Sequence, residues 1–173
     1  MDFSPLLAAS PVIQIHAVCA VLALLIGALQ LFRRKGDRTH RGIGRAWVVL
    51  MAVVALSSFF IWTIRLWGLF SPIHLISIFT LVMLWRGIGF ARRGNIKAHS
   101  RTMEYLYFLA LVVTGLLTFI PGRIMYRVAF GQDGPTLQKL LVFAGVIAAA
   151  AVLSGLAAMW RKTRAGIEFV EAH

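Results

Sequence analysis

The chain is 173 residues long and 60% hydrophobic, with a mean hydropathy of +0.82 and a formal net charge of +12. Soluble domains run to about 45–50% apolar residues; here the apolar residues are bunched into runs long enough for a bilayer crossing, which takes about 20 residues. An ordinary soluble domain is excluded, an all-α membrane protein is expected, and the basic balance is assigned to membrane topology rather than to nucleic acid.

Five transmembrane helices are predicted. The first runs from about Pro11 to Phe32, with Ser10 to cap it and Pro11 in its first turn. It lacks a basic leader and stays apolar to Phe32, which reads as a span rather than a cleaved signal. The second runs from about Thr39 to Ile64, with Asp37 as its cap. The third starts at Ser71-Pro72 and ends near Ala91. The fourth begins at Asn95, its body running from about residue 96 to Ile120, where Pro121-Gly122 stops it. The fifth covers about Leu137 to Trp160, after the turn Gly131-Gln132-Asp133-Gly134-Pro135. Strands are not expected, because an open sheet cannot satisfy its backbone in lipid.

Helices one and two resemble helices three and four. Ser10-Pro11 before His16 echoes Ser71-Pro72 before His74. Arg34-Lys35-Gly36 followed by His40-Arg41 echoes Arg92-Arg93-Gly94 followed by His99-Ser100-Arg101. Phe60 and Phe119 each follow their histidine, His40 or His99, by 20 residues. The expected architecture is a single transmembrane domain over residues 1–173, with helices 1–2 and 3–4 forming a parallel tandem repeat in a four-helix bundle and a peripheral fifth helix. Gly145, Ala149, Ala151 and Gly155 give that fifth helix small residues for close contact, within the chain or in a homodimer. Trp47, Trp62, Trp67, Trp85 and Trp160 read as interface anchors, and Cys19, the one cysteine, as a packed core thiol.

Of the 18 lysines and arginines, 14 fall in segments assigned to the inside, around the two short basic loops and in the C-terminal tail, and 4 (Arg65, Arg123, Arg127 and Lys139) fall on the other side. The positive-inside rule then predicts a bacterial inner-membrane protein with its N-terminus outside and its C-terminus in the cytoplasm. Anionic lipids on the cytoplasmic side are the expected partners of the basic loops.

The histidines carry the functional expectation. His16 and His74 lie 58 residues apart, and His40 and His99 lie 59 apart, each near the start of a predicted span. The topology puts His16 and His74 near the outer ends of helices one and three, and His40 and His99 near the inner ends of helices two and four. Two imidazoles on facing helices are what a b-type haem requires, so the expectation is one or two haems with these four residues as iron ligands. The helix dipole near Asp37 and Asn95 favours neutral His40 and His99. Gly44, one turn from His40, leaves room for a flat ring. Arg41, Arg45 and Arg101 are candidates for haem propionates inside, and Arg123 for a propionate or a quinone outside. Glu104 is expected to pair with Arg45, in register between the repeats, with a proton relay to the inner site as the functional alternative.

Other readings stay open. Interfacial histidines and arginines also serve as amphipathic or snorkelling residues, and the chain also reads as a non-haem membrane protein, a small transporter or an assembly partner, with a polar histidine-lined cavity. A zinc or copper site would want three or four ligands, with only Cys19 or Asp2 to join His16 and His74. No phosphate-binding glycine loop, hydrolytic triad or pair of carboxylates is evident.

Phe70-Ser71-Pro72-Ile73-His74-Leu75, His99 followed by Met103, and Phe119-Ile120-Pro121-Gly122-Arg123 resemble domain-of-unknown-function family 2306 of bacterial predicted membrane proteins. The likeness covers roughly Val12 to Phe130 and implies a membrane protein without assigning it a role. More distantly, histidines alternating over four successive helices resemble the dihaem cytochrome b-561 superfamily, in which the first and third core helices share one haem and the second and fourth the other. That resemblance implies quinol-linked electron transfer, with His16/His74 and His40/His99 as ligand pairs. The chain departs from the scheme in placing His40 and His99 close to a loop.

Overall fold

The computed structural model describes residues 2–61, 72–131 and 136, with Pro72 and Ile73 described by backbone alone. The fifth predicted helix, residues 62–64 of the second, and the loop between the second and third lie outside the described residues. The chain divides into two compact units, Asp2–Val128 and Ala129–His173 with residue 1. The first unit contains the elements that matter here.

That unit opens with a single helical turn, α1 (Ser4–Leu7). Asp2 accepts from the Ser4 amide at 2.9 Å and from its hydroxyl at 2.8 Å, which holds the Asp2 carboxyl below the usual carboxylate range. Helix α2 (Pro11–Phe32) starts with proline in its first turn, where a missing N–H costs nothing. Its cap residue, Ser10, has extended backbone, but its side chain makes no capping bond. Gly36, with φ of +95°, turns the chain into α3 (Arg38–Ser58). Asp37 caps α3 by accepting from the His40 amide at 2.5 Å.

Helix α4 spans Pro72–Arg92, and Gly94 (φ +76°) makes the second reversal. Asn95 then caps α5 (Ile96–Tyr105), accepting from the Ala98 amide at 3.1 Å. The chain continues without a break through a π-helical segment, Leu106–Val113, into α6 (Thr114–Leu117). The Thr114 hydroxyl donates to the Leu109 carbonyl, five residues back, at 3.0 Å. After a turn at Gly122 (φ +89°), α7 covers Ile124–Phe130.

Two predicted ends are corrected. Helix two was expected to reach Ile64 and helix four Ile120, but regular helix stops at Ser58 and Leu117. The cause is the same at both. Backbone bonds tighten to three-residue spacing, Phe59–Phe60–Ile61 onto Leu56–Ser57–Ser58 and Thr118–Phe119–Ile120 onto Gly115–Leu116–Leu117. Side-chain hydroxyls take up nearby carbonyls: Ser57 donates to Val54 at 3.1 Å, Ser58 to Ala55 at 2.7 Å, and Thr118 to Gly115 at 2.6 Å.

The helices form a ring. Each of α2, α3, α4 and the α5–π segment packs against the next, and the π segment closes back onto α2. The α2 and α4 helices thus lie across the bundle from each other, as do α3 and the α5–π segment. The core at mid-bundle is Ala23, Trp47, Met51, Leu84, Leu106, Tyr107 and Leu111. Trp47, expected as an interface anchor, is instead buried, donating from Nε1 to the Ala23 carbonyl at 2.9 Å. Gly27 makes this packing fit: a β-carbon there would fall 2.5 Å from the Tyr107 ring and 2.7 Å from Trp47 Nε1. Trp85, by contrast, faces outward and is 76% exposed.

Large apolar side chains such as Leu25, Val49, Leu75 and Trp85 lie on the outer surface, while Ser58, His74, Ser77, Thr80 and Thr102 are buried. That inverts the usual soluble pattern and suits a lipid surround. Among the described residues, three helices are long and apolar enough to cross a membrane: Pro11–Phe32, Arg38–Ser58 and His74–Arg92.

Candidate functional site

The hairpin geometry sorts the histidines to two ends of the bundle. At one end α2 and α4 begin and α3 finishes. There His16, on α2, bonds through Nδ1 to the Ser57 hydroxyl at 2.9 Å. His74, on α4, is buried and stacks on Phe59, with ring centroids 5.6 Å apart and planes 11° from parallel. Ser58 bonds to Ser77 through a short hydroxyl–hydroxyl contact. Three successive residues at the end of α3 thus connect the helix of His16 to the helix of His74.

At the other end α3 and α5 begin. His40 Nδ1 meets Gln30 Oε1 at 3.1 Å, while Gln30 Nε2 donates to the His40 carbonyl at 2.8 Å. His99 Nδ1 lies 2.9 Å from the Gly87 carbonyl. His40 lies in the first turn of α3 and His99 in the first turn of α5. Lys35, from the first hairpin turn, bonds to the Ser100 hydroxyl at 3.0 Å and to Glu104 Oε1 at 3.5 Å, tying that turn to α5.

These contacts fix the direction of three imidazoles. A carbonyl oxygen only accepts, so His99 donates from Nδ1. Gln30 has spent its amide nitrogen on the His40 carbonyl, so its oxygen accepts and His40 donates from Nδ1. The Ser57 hydroxyl donates to Val54, so it accepts from His16 Nδ1. In a neutral imidazole, a proton on Nδ1 leaves the lone pair on Nε2. The partners of metal-ligating histidines impose this same arrangement.

Among the described residues, no group of three or more His, Cys, Asp or Glu is gathered as a metal ion would need. A site with three or four protein ligands of the zinc kind is therefore not assembled there. A haem iron asks less of the protein, namely one imidazole on each face. The donor chemistry of His16, His40 and His99 suits that requirement, and the paired histidines are carried on helices that face each other across the ring.

The arginines divide. Arg41 and Arg45 are exposed on α3. Arg101 is exposed and lines a groove between α4 and α5 whose lining includes neither His40 nor His99. Arg123 is half-buried at the turn before α7, its amide donating to the Ile120 carbonyl at 3.2 Å. Gly44 faces the Gln30 amide, which would lie 3.3 Å from a β-carbon there, so the space it leaves is taken by Gln30.

Over residues 13–157 the chain matches the family described as predicted membrane protein (DUF2306). The chain belongs to this family. No curated protein and no solved structure matches it. In this DUF2306 protein the sequence reading passed over Gln30, Ser57, Phe59 and Gly87, the groups that hold the four histidines. Gln30 carried a signal: it is an amide at the end of a 13-residue stretch of the span, from Ala17 to Leu29, with no other amide or charged side chain, where polar side chains are costly. Gly87 carried none, because it acts through its backbone. A β-carbon at 87 would displace the terminal methyl of Met103 and lie 3.1 Å from Thr102 Cγ2 on α5.

Proposed function

We propose that this DUF2306 protein is an inner-membrane electron-transfer protein of the b-type cytochrome kind. His16 and His74 would hold one haem, His40 and His99 a second, and a quinol pool would be the electron source. The supporting observation is the hydrogen bonding of His16, His40 and His99. Three imidazoles on three helices each use Nδ1 in a bond within the protein, which leaves Nε2 as the nitrogen that would hold the iron. A haem bound in this way supplies one-electron redox chemistry.

The chain's own groups do the rest. Gln30 and Gly87 orient the inner imidazoles, and Ser57 orients His16. Trp47, Met51, Leu106 and Tyr107 fill the middle of the bundle, which keeps the two ends apart and excludes water between them. Arg41 and Arg45 remain candidates for inner propionates, and Arg123 for an outer propionate or a quinone oxygen. The finer architecture belongs to the same proposal: a tandem repeat of two hairpins, a fourth crossing by residues 96–117, a fifth helix making close contact within the chain or in a homodimer, and a C-terminus in the cytoplasm. Matched turn glycines at 36 and 94, and matched three-residue endings 59 residues apart, support the repeat.

A second reading has an observation of its own. Ser57, Ser58 and Ser77 form a buried or half-buried hydroxyl layer beside His16 and His74. Such a layer also fastens helices in a cofactor-free protein, or lines a polar cavity. Single His→Ala variants separate the two. The cytochrome reading expects His16→Ala or His74→Ala to remove one haem's absorbance, and His40→Ala or His99→Ala the other's. Protein that is colourless from haem-replete cells refutes it.

A further inference from the structure

Between α4 and α5 lies a groove of about 790 Å³, within the range of ligand pockets. Its walls are of two kinds. Met83, Phe90 and Tyr105 are apolar or aromatic, while Arg86, Lys97 and Arg101 are cations, and among the described residues no acid lines it. The ion pairs found among the described residues, Arg33–Asp37 and Lys35–Glu104, lie elsewhere. Among the described residues, none of the three groove cations has an ion-pair partner. The nearby polar groups are spent within the protein: Asn95 caps α5, Thr102 donates to the Ala98 carbonyl, and Ser100 bonds with Glu104.

Arg86 is the telling residue. It lies six residues before the end of α4, about 9 Å deeper in the span at 1.5 Å per residue. A charge at such depth needs a counter-charge or a route to the interface. Its guanidinium stands 5.9 Å from the Phe90 ring centroid, which directs it along the helix toward the basic end of the groove.

We propose that this groove binds an anionic phospholipid, with its phosphate among Arg86, Lys97 and Arg101 and an acyl chain running past Met83. A lipid suits both halves of the groove, whereas a free anion would use only the cations. This site is separate from the histidine pairs and does not depend on haem.

The test is native mass spectrometry of the detergent-purified protein, offered phosphatidylglycerol or phosphatidylcholine with the same acyl chains. The unaltered protein should keep phosphatidylglycerol under activation that strips phosphatidylcholine. The triple variant Arg86→Ala, Lys97→Ala, Arg101→Ala should weaken phosphatidylglycerol binding on the order of 100-fold, from about fivefold per cation. A control triple, Arg34→Ala, Arg38→Ala, Arg93→Ala, removes the same charge outside the groove and should change binding little. Equal losses in both triples would mean general attraction and overturn the site. Displacement of the lipid by millimolar inorganic phosphate would make it a bare anion site and overturn the lipid assignment. Equal retention of the two lipids by the unaltered protein would do so too, whether or not the variants fold.

Discussion

Replacing Gln30 with leucine separates a histidine clamp from a helix fastener. Gln30 reaches from the end of α2 to the start of α3 with two bonds, 2.8 Å to the His40 carbonyl and 3.1 Å to His40 Nδ1. Leucine keeps the approximate bulk and removes both. Side-chain hydrogen bonds between membrane helices are worth about 0.6 kcal/mol on average, so the two together contribute roughly 1–2 kcal/mol to stability. If His40 is an iron ligand, the second cost is larger and local. Loss of a group that orients a metal-bound imidazole lowers metal affinity about 10–100-fold. Gln30→Leu should therefore lower the melting temperature modestly while depleting the His40/His99 haem and leaving the His16/His74 haem in place. Gln30→Glu should restore the haem, because a carboxylate accepts from Nδ1, and should lower its midpoint potential by making the imidazole more basic. The assays are haem per chain after size exclusion, a redox titration and thermal unfolding in detergent. A Gln30→Leu protein that melts earlier but keeps both haems at full affinity would reduce Gln30 to a fastener and refute the reasoning.

Three further outcomes are expected. Ser57→Ala removes the acceptor that orients His16 and should weaken haem retention at that end by about 10-fold, with the other end unchanged in the same spectra. Gly27→Ala places a methyl against Tyr107 and Trp47. The overpacking costs about 1–3 kcal/mol, against about 1 kcal/mol gained in helix propensity, so a raised melting temperature would contradict the packing described. Asp37→Ala removes the cap of α3 at a cost of about 1 kcal/mol, and hydrogen exchange should quicken first at the His40 amide.

The helix starts were legible because punctuation at those points is local and chemical. Pro11, Asp37 and Asn95 sit where the first helical turns begin, and Gly36 and Gly94 supply the positive φ of the reversals. The ends of helices two and four were not legible. Hydropathy runs on through Phe59–Ile61 and Phe119–Ile120, while the backbone has already tightened under hydroxyls drawing on carbonyls of the preceding turn. Trp47 was misread for a related reason: composition places tryptophan at interfaces, but a partner such as the Ala23 carbonyl lets its N–H be buried. The four histidines were found by spacing alone, and the structure sorts them to two ends. Their partners were missed because a backbone carbonyl, a serine and a glutamine have no motif. Glu104 was matched to Arg45 by repeat register, and its ion pair is with Lys35, from a turn that register did not weigh. The offset of 58 against 59 also has a structural place. The caps Asp37 and Asn95 keep the 58-residue offset, but His40 lies three residues past its cap and His99 four.

The most direct measurement is a visible spectrum of the detergent-purified protein from haem-replete cells, oxidised and then dithionite-reduced, with haem counted per chain. Two bis-histidine sites predict a Soret band, sharp reduced α and β bands and about two haems per chain, falling to about one in His16→Ala and in His99→Ala. A folded, colourless protein would contradict electron transfer and leave the histidines as helix fasteners or the lining of a polar cavity.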